Sequence, residues 1–173
     1  MSTASSTPSE HVKAPTPVVT VFLLRQTPAG DEMLLVRRSG RVRTYQGVWA
    51  GVSGYLETGV TPIDQAYTEL REETGLDANA VRFVQAGAPV PVEDAAQQLS
   101  WVVYPFLFTL EGGQEVRIDW EAEEMRWVSP ADLASYTTVP MLREALAQVY
   151  PQPTPAAEQP GQTDTDTHDS PHT

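Results

Sequence analysis

The stretch from Thr61 to Leu76 constrains this chain more than any other. Thr61 suits a helix N-cap, Pro62 the first helical position, and Asp64 the third, where it completes a pair resembling a capping box. Ile63, Ala66, Tyr67 and Leu70 follow at i, i+3, i+4 and i+7, which draws one apolar stripe along a helix. Gly75 stands where a left-handed residue ends a helix, and Leu76 can pack back beneath it. On the same helix Glu69, Glu72 and Glu73 fall within about a third of the circumference, with Cβ atoms roughly 5–6 Å apart. Like charges at that spacing repel, and two of them sit at the negative end of the helix dipole. A helix selected for stability alone would avoid this arrangement. Three hard oxygen ligands on one edge suit Mg²⁺, which takes carboxylates together with water and substrate phosphate. The bland alternative is a solvated helical face, which leaves the neighbouring glycines and arginines unexplained.

Composition narrows the setting. The 173 residues are one domain's worth of chain, long enough to bury a core. No run of eighteen apolar residues is present to span a bilayer, and Met1 to Pro17 does not read as a secretory signal. There is no cysteine, so disulfides and thiolate metal sites are excluded, and a cytoplasmic location is expected. Twenty-three acidic against eleven basic residues give a net charge of -12, which argues against nucleic acid as a partner. Against that background Arg37, Arg38, Arg41 and Arg43 stand out, four of the eleven cations within seven residues.

Residues 1–16 and 151–173 have too few apolar side chains to offset the entropy of ordering them, so both are expected to be disordered tails around a domain at 17–150. Within it, Val18–Leu24 and Met33–Val36 flank the turn residues Thr27–Asp31 and read as a hairpin. Val81–Val84, Trp101–Phe108 and Met125–Val128 read as further strands, with Pro105 expected at an edge or a bulge. Ala131–Tyr136 and Met141–Val149 read as helices. Interleaved strands and helices predict an α/β fold, a mixed β-sheet between helices.

Gly54, Glu57, Gly59 and Glu69-Leu70-Arg71-Glu72-Glu73-Thr74-Gly75-Leu76 resemble the Nudix box. The family pattern is Gly, five residues, Glu, seven residues, then Arg-Glu-apolar-any-Glu-Glu-any-Gly-apolar. The likeness is close over Gly54 to Leu76 and looser over residues 18–150. More weakly, Tyr45 to Glu57 is similar to Nudix domains joined to subunits like translation initiation factor 2B. The resemblance implies the Nudix fold and hydrolysis of a diphosphate linkage in a nucleoside diphosphate derivative, with Mg²⁺ or Mn²⁺ as cofactor. It implies metal ligands at Glu69, Glu72 and Glu73 and at the Gly54 carbonyl, with Glu73 the principal ligand. Glu69 and Glu72 carry the catalytic expectation, Glu69 by binding or orienting the attacking water. A further carboxylate is expected from Asp119–Glu124. Sequence does not separate Glu121, Glu123 and Glu124, and Glu124 is taken into the expected ligand set. Homodimerisation is left open.

Two positions depart from the box. Val60 stands where Glu is wanted and Thr68 where Arg is wanted, the Arg that in the family helps hold a catalytic Glu. An opposite-charge pair lost as a unit leaves no lone buried charge. Arg37, Arg38, Arg41 and Arg43 are the expected phosphate-binding forks, and Trp49, with Tyr45 and Tyr55, is the expected stacking surface for a base, the alternative being that these aromatics belong to the core. The competing reading is a catalytically weak Nudix-fold regulator that binds nucleotides. A prenyl-diphosphate isomerase on the same fold would want a catalytic cysteine, and none is present.

Overall fold

The computed structural model describes residues 14–151, and the expected tails lie outside it apart from their innermost residues. Thr16, assigned to the first tail by sequence, already begins a strand. Strands β1 (Thr16–Thr27) and β2 (Gly30–Arg38) form the expected hairpin, paired from Leu24↔Met33 to Thr27↔Gly30. Then come β3 (Trp49–Ala50), β4 (Val52–Tyr55), helix α1 (Pro62–Thr74), β5 (Val81–Ala86), β6 (Val90–Asp94), β7 (Leu99–Leu110), β8 (Ala122–Val128) and the short helix α2 (Leu142–Ala147). The expected helix over 131–136 is a 3₁₀ segment, Pro130–Ser135.

All eight strands join one mixed sheet. Its path runs β3-β2-β1-β7-β5, with β4 on β1, β6 on β7 and β8 on β2; β1 and β7 are parallel. Alternation along β1 divides the core in two. Val19, Val21 and Leu23 point to the face covered by Ala66 and Leu70 of α1. Phe22 and Leu24 point to the face covered by Leu142, Ala145 and Leu146 of α2. The sheet is thus held between helices, as the periodicity implied. Burying a side chain such as Leu70, which is fully enclosed, stabilises the fold by about 1.5–3 kcal/mol.

Pro105 lies in the interior of the sheet, where sequence placed it at an edge or bulge. β1 pairs along one side of β7, with Thr20 opposite Pro105. On the other side, pairing to β6 ends at Val103 and pairing to β5 begins at Phe106. Pro105 occupies the join, where its carbonyl accepts from Gly87 N–H at 3.0 Å. A missing N–H costs least at such a discontinuity.

Candidate active site

Helix α1 forms as its caps dictate. Thr61 is extended and its hydroxyl oxygen accepts from Asp64 N–H, while Gly75 closes the helix at φ 70° and donates to the Arg71 carbonyl. The Thr61 hydroxyl in turn donates to Asp64 Oδ2 at 2.6 Å. With both ends and the apolar stripe pinned, the acidic edge is aimed at β4.

There the lack of a side chain at Gly54 decides the geometry. A Cβ built on Gly54 would lie 2.0 Å from Glu69 Oε1, so the carboxylate rests directly over the glycine α-carbon. Any other residue would displace it. Glu73 reaches the same strand and accepts from Ser53 N–H at 3.1 Å. Both carboxylates are buried, whereas Glu72 is exposed. Glu69 is held by Gln65, whose carboxamide donates to Oε1 at 2.8 Å and whose oxygen accepts from Glu57 N–H at 3.2 Å.

Burial, followed by the charges of Glu121 and Glu69, holds the Glu73 carboxyl well above the usual carboxylate range. Burial likewise raises Glu69, with Glu72, Glu121 and Glu57 adding to it and the Gln65 hydrogen bond opposing it. Glu121 is raised by burial and by Asp119, against the pull of Arg38. Mutually repelling, buried carboxylates that make no ion pair among the described residues are an environment that a cation relieves. Among the described residues no three acidic or imidazole groups close a metal cage by themselves.

A cleft of about 490 Å³ begins at this edge, with Glu57, Glu69, Glu72 and Glu121 in its wall. Arg38, at the end of β2, and Arg41 and Arg43, in the loop to β3, line it as well. Among the described residues ion pairs form at Arg25, Arg37, Arg82, Arg117 and Arg126, and none of the three cleft arginines takes part in one. Among the described residues no carboxylate pairs with them at ion-pair distance, while Arg41 lies over the Trp120 ring at 5.5 Å and Arg38 attracts Glu121. The loop is fastened at its base, where Arg38 N–H donates to Val48 O and Gly47 N–H to Arg38 O. Arg38 Nε also donates to Thr44 O at 3.0 Å.

The structure corrects three sequence expectations. Glu124 does not approach the carboxylate edge; it pairs in register with Arg37 and makes ion pairs with Arg37 at 3.2 Å and Arg126 at 2.7 Å. Arg37 therefore faces Glu123 and Glu124 instead of the cleft. Trp49 is buried in the core on the α2 side, its ring 5.6 Å from that of Tyr136, and it lines a separate shallow groove with Arg37 and Arg126. Of the acidic run, Glu121 lines the cleft with Glu69 and Glu72. Ser39 carries its segment into position, through Ser39 N–H to Glu121 O at 2.8 Å and Ser39 Oγ to Trp120 O at 2.9 Å. Gln65 was not singled out from sequence, although its i, i+4 spacing to Glu69 was a usable signal.

Comparison with known proteins agrees with this geometry. The family model for the NUDIX domain matches residues 14–152. A segment of 76 residues, 44% of this chain, is 36% identical to m7GpppN-mRNA hydrolase NUDT17 of Danio rerio, and spans 25% of that relative's length. A Nudix hydrolase from M. smegmatis, RenU, superposes with TM-score 0.64 at 20% identity, over 77% of this chain and 81% of that one. The C. elegans Ap4A hydrolase gives TM-score 0.65 at 16% identity, over 77% and 93%. The NUDIX domain of Shewanella oneidensis NrtR, crystallised with ADP ribose, gives 0.59 at 18% identity, over 79% and 86%. The neighbours share the fold, a mixed sheet held between helices. The chain belongs to the Nudix family. No described helix is long and apolar enough to cross a membrane.

Proposed function

We propose that this protein hydrolyses the diphosphate linkage of a nucleoside diphosphate derivative with Mg²⁺, Mn²⁺ serving in its place. The observation that carries this reading is the Glu69 carboxylate seated on Gly54, beside buried Glu73, at one end of a cleft lined by unpaired arginines. Glu69, Glu72, Glu73 and Glu121, with the Gly54 carbonyl, would hold the cation. When bound, it neutralises charge on phosphate oxygens and acidifies water. Arg38, Arg41 and Arg43 bind and orient the phosphates from the opposite rim. Glu69, held by Gln65, orients the attacking water and accepts its proton. The Ser53 N–H fixes Glu73 at the edge of the sheet.

The test is incubation with Mg²⁺, Mn²⁺ or a chelator and a panel of ADP-ribose, dinucleoside polyphosphates, oxidised nucleotides, coenzyme A and a capped dinucleotide. The last is included because the Danio rerio relative is an m7GpppN-mRNA hydrolase; the net charge of -12 disfavours the body of an RNA. We expect turnover of at least one compound that ceases with chelator and with Glu73→Gln. Binding without turnover across the panel would replace this reading with that of a nucleotide-binding regulator, which Val60 and Thr68 favour.

A further inference from the structure

Three non-glycine residues in the described chain have a left-handed backbone: Tyr45 at φ 51°, Gln98 at φ 54° and Met141 at φ 61°. Such conformations are unfavourable for residues with a Cβ and persist where the surroundings or a function hold them. Gln98 lies in the turn between β6 and β7. Tyr45 and Met141 come from loops nearly a hundred residues apart, yet both line the one cleft.

The part of the cleft they share differs from the carboxylate edge. The carboxylates arrive past β4, whereas Val92 and Trp101 belong to β6 and β7, beyond β1. From β4 to β7 is two strand spacings, about 10 Å. The Tyr45 ring meets Trp101 edge-on at 5.6 Å, and Val92, Val103 and Leu142 complete an apolar wall. Met141 is 38% exposed, a large apolar side chain kept open at the mouth. The Tyr45 hydroxyl and the Asp94 carboxylate are already committed to one another and to Gln97. Tyr45 Oη donates to Asp94 Oδ2 at 2.5 Å, and Asp94 Oδ1 accepts from Gln97 N–H.

We propose that Tyr45 and Met141 determine specificity, holding an aromatic ring of the group attached to the diphosphate against Trp101 and selecting it by shape instead of by hydrogen bonding. This rests on the diphosphate reading above. The apolar wall and the Trp101 face reward planar area, and every nucleobase offers a π-face. The hydrogen bond to Asp94 fixes the Tyr45 ring at the required angle. Adenine, guanine and uracil derivatives should therefore differ little, because stacking on a π-face tolerates any base.

The experiment exploits the backbone strain. Glycine at 98 or 141 relaxes a left-handed residue, so Gln98→Gly and Met141→Gly should each hold or raise Tm. Met141→Gly alone should raise KM for ADP-ribose with Mg²⁺ about tenfold, through lost apolar contact. Trp101→Ala should raise it about tenfold or more. Binding of AMP, followed by calorimetry, should weaken in parallel. ADP-, GDP- and UDP-sugars should show KM values within about tenfold of one another.

Unchanged KM and AMP affinity in Met141→Gly would overturn the proposal, as would a Tm loss matching the loss of binding. A preference for one base above about a hundredfold would also overturn it. Turnover absent while AMP binding still depends on Met141 would remove the hydrolase reading and keep the subsite. Absence of both turnover and binding would remove both.

Discussion

Gln65 grips Glu69 across one helical turn, its carboxamide donating to Oε1 at 2.8 Å, and both side chains are buried. The same carboxamide oxygen ties back to the Glu57 N–H, so one neutral residue joins the strand-to-helix connection to the acidic edge. In the family this chain resembles, an arginine at the position of Thr68 helps hold a catalytic glutamate. Here position 68 is Thr, and a neutral donor, Gln65, bonds to Glu69. It stabilises the carboxylate form of Glu69 without placing a cation in competition with the metal.

Replacing Gln65 with Leu should therefore act on chemistry more than on folding. The stability cost is set by one buried carboxylate losing its partner, about 1–3 kcal/mol. Glu69, already raised by burial, should rise further once the opposing hydrogen bond is gone. The acid limb of the kcat/KM profile should move to higher pH, with kcat reduced about tenfold at neutral pH. A profile that keeps its acid limb while Tm falls would show that Gln65 only packs.

Gly54→Ala is expected to separate fold from activity. Its methyl group would clash with the Glu69 carboxylate, the far end of a flexible side chain and not backbone. Glu69 can swing away at modest cost in stability but loses its seat. Circular dichroism should show a native fold with Tm lowered by a few degrees, and turnover should fall about a hundredfold or more. Near wild-type turnover would mean that the seat of Glu69 on Gly54 is incidental.

Glu73 predicts an unusual pH dependence for the metal-free protein. Its folded pKa lies above the unfolded value, because burial and then Glu121 and Glu69 disfavour the charge. Between those two values the native state binds more protons than the unfolded chain, so stability falls as pH rises through that window. Metal-free protein should accordingly melt higher near pH 5 than near pH 7.5. Glu73→Gln removes the titration, and its side-chain oxygen can still accept from Ser53 N–H. The variant should be more stable than wild type at pH 7.5 without metal, and inactive with it. Identical Tm profiles for both proteins would show that Glu73 is not the group responsible.

How much of this was readable before folding follows from how local each feature is. The caps, stripe and acidic edge of α1 lie within sixteen residues, and periodicity captured them. Glu121 could not be separated from Glu124 because the choice depends on β8 pairing with β2, about ninety residues away, which sets Glu124 opposite Arg37. The same pairing removes Arg37 from the cleft while leaving Arg38 in it, across a register shift between the two. Strand β6 was missed because Pro89 and Pro91 bracket Val90 and argue against a strand. It forms as an edge, pairing only with β7, where proline is tolerated. Trp49 carried no local sign of which side of the sheet it would face.

The last prediction concerns Val60 and Thr68, the two departures from the box. Both are partly buried, Val60 N–H donates to Glu57 O at 3.2 Å, and Thr68 directly precedes Glu69 on α1. Thr68→Arg alone places a cation beside Glu69, Glu72 and Glu73, where it competes with the metal. Its Mg²⁺ requirement should rise. Val60→Glu alone adds a carboxylate near Glu57 and Glu69, which costs about 1–3 kcal/mol if it is left without a partner. Together the two should recover much of each loss, since groups in contact couple by about 0.5–3 kcal/mol. The measurement is a double-mutant cycle on Tm and on kcat/KM at saturating and limiting Mg²⁺. Additive effects in both would show that the two side chains do not meet. In that event the hold of Gln65 on Glu69 would not stand in for a lost pair, and the departures from the box would need a separate account.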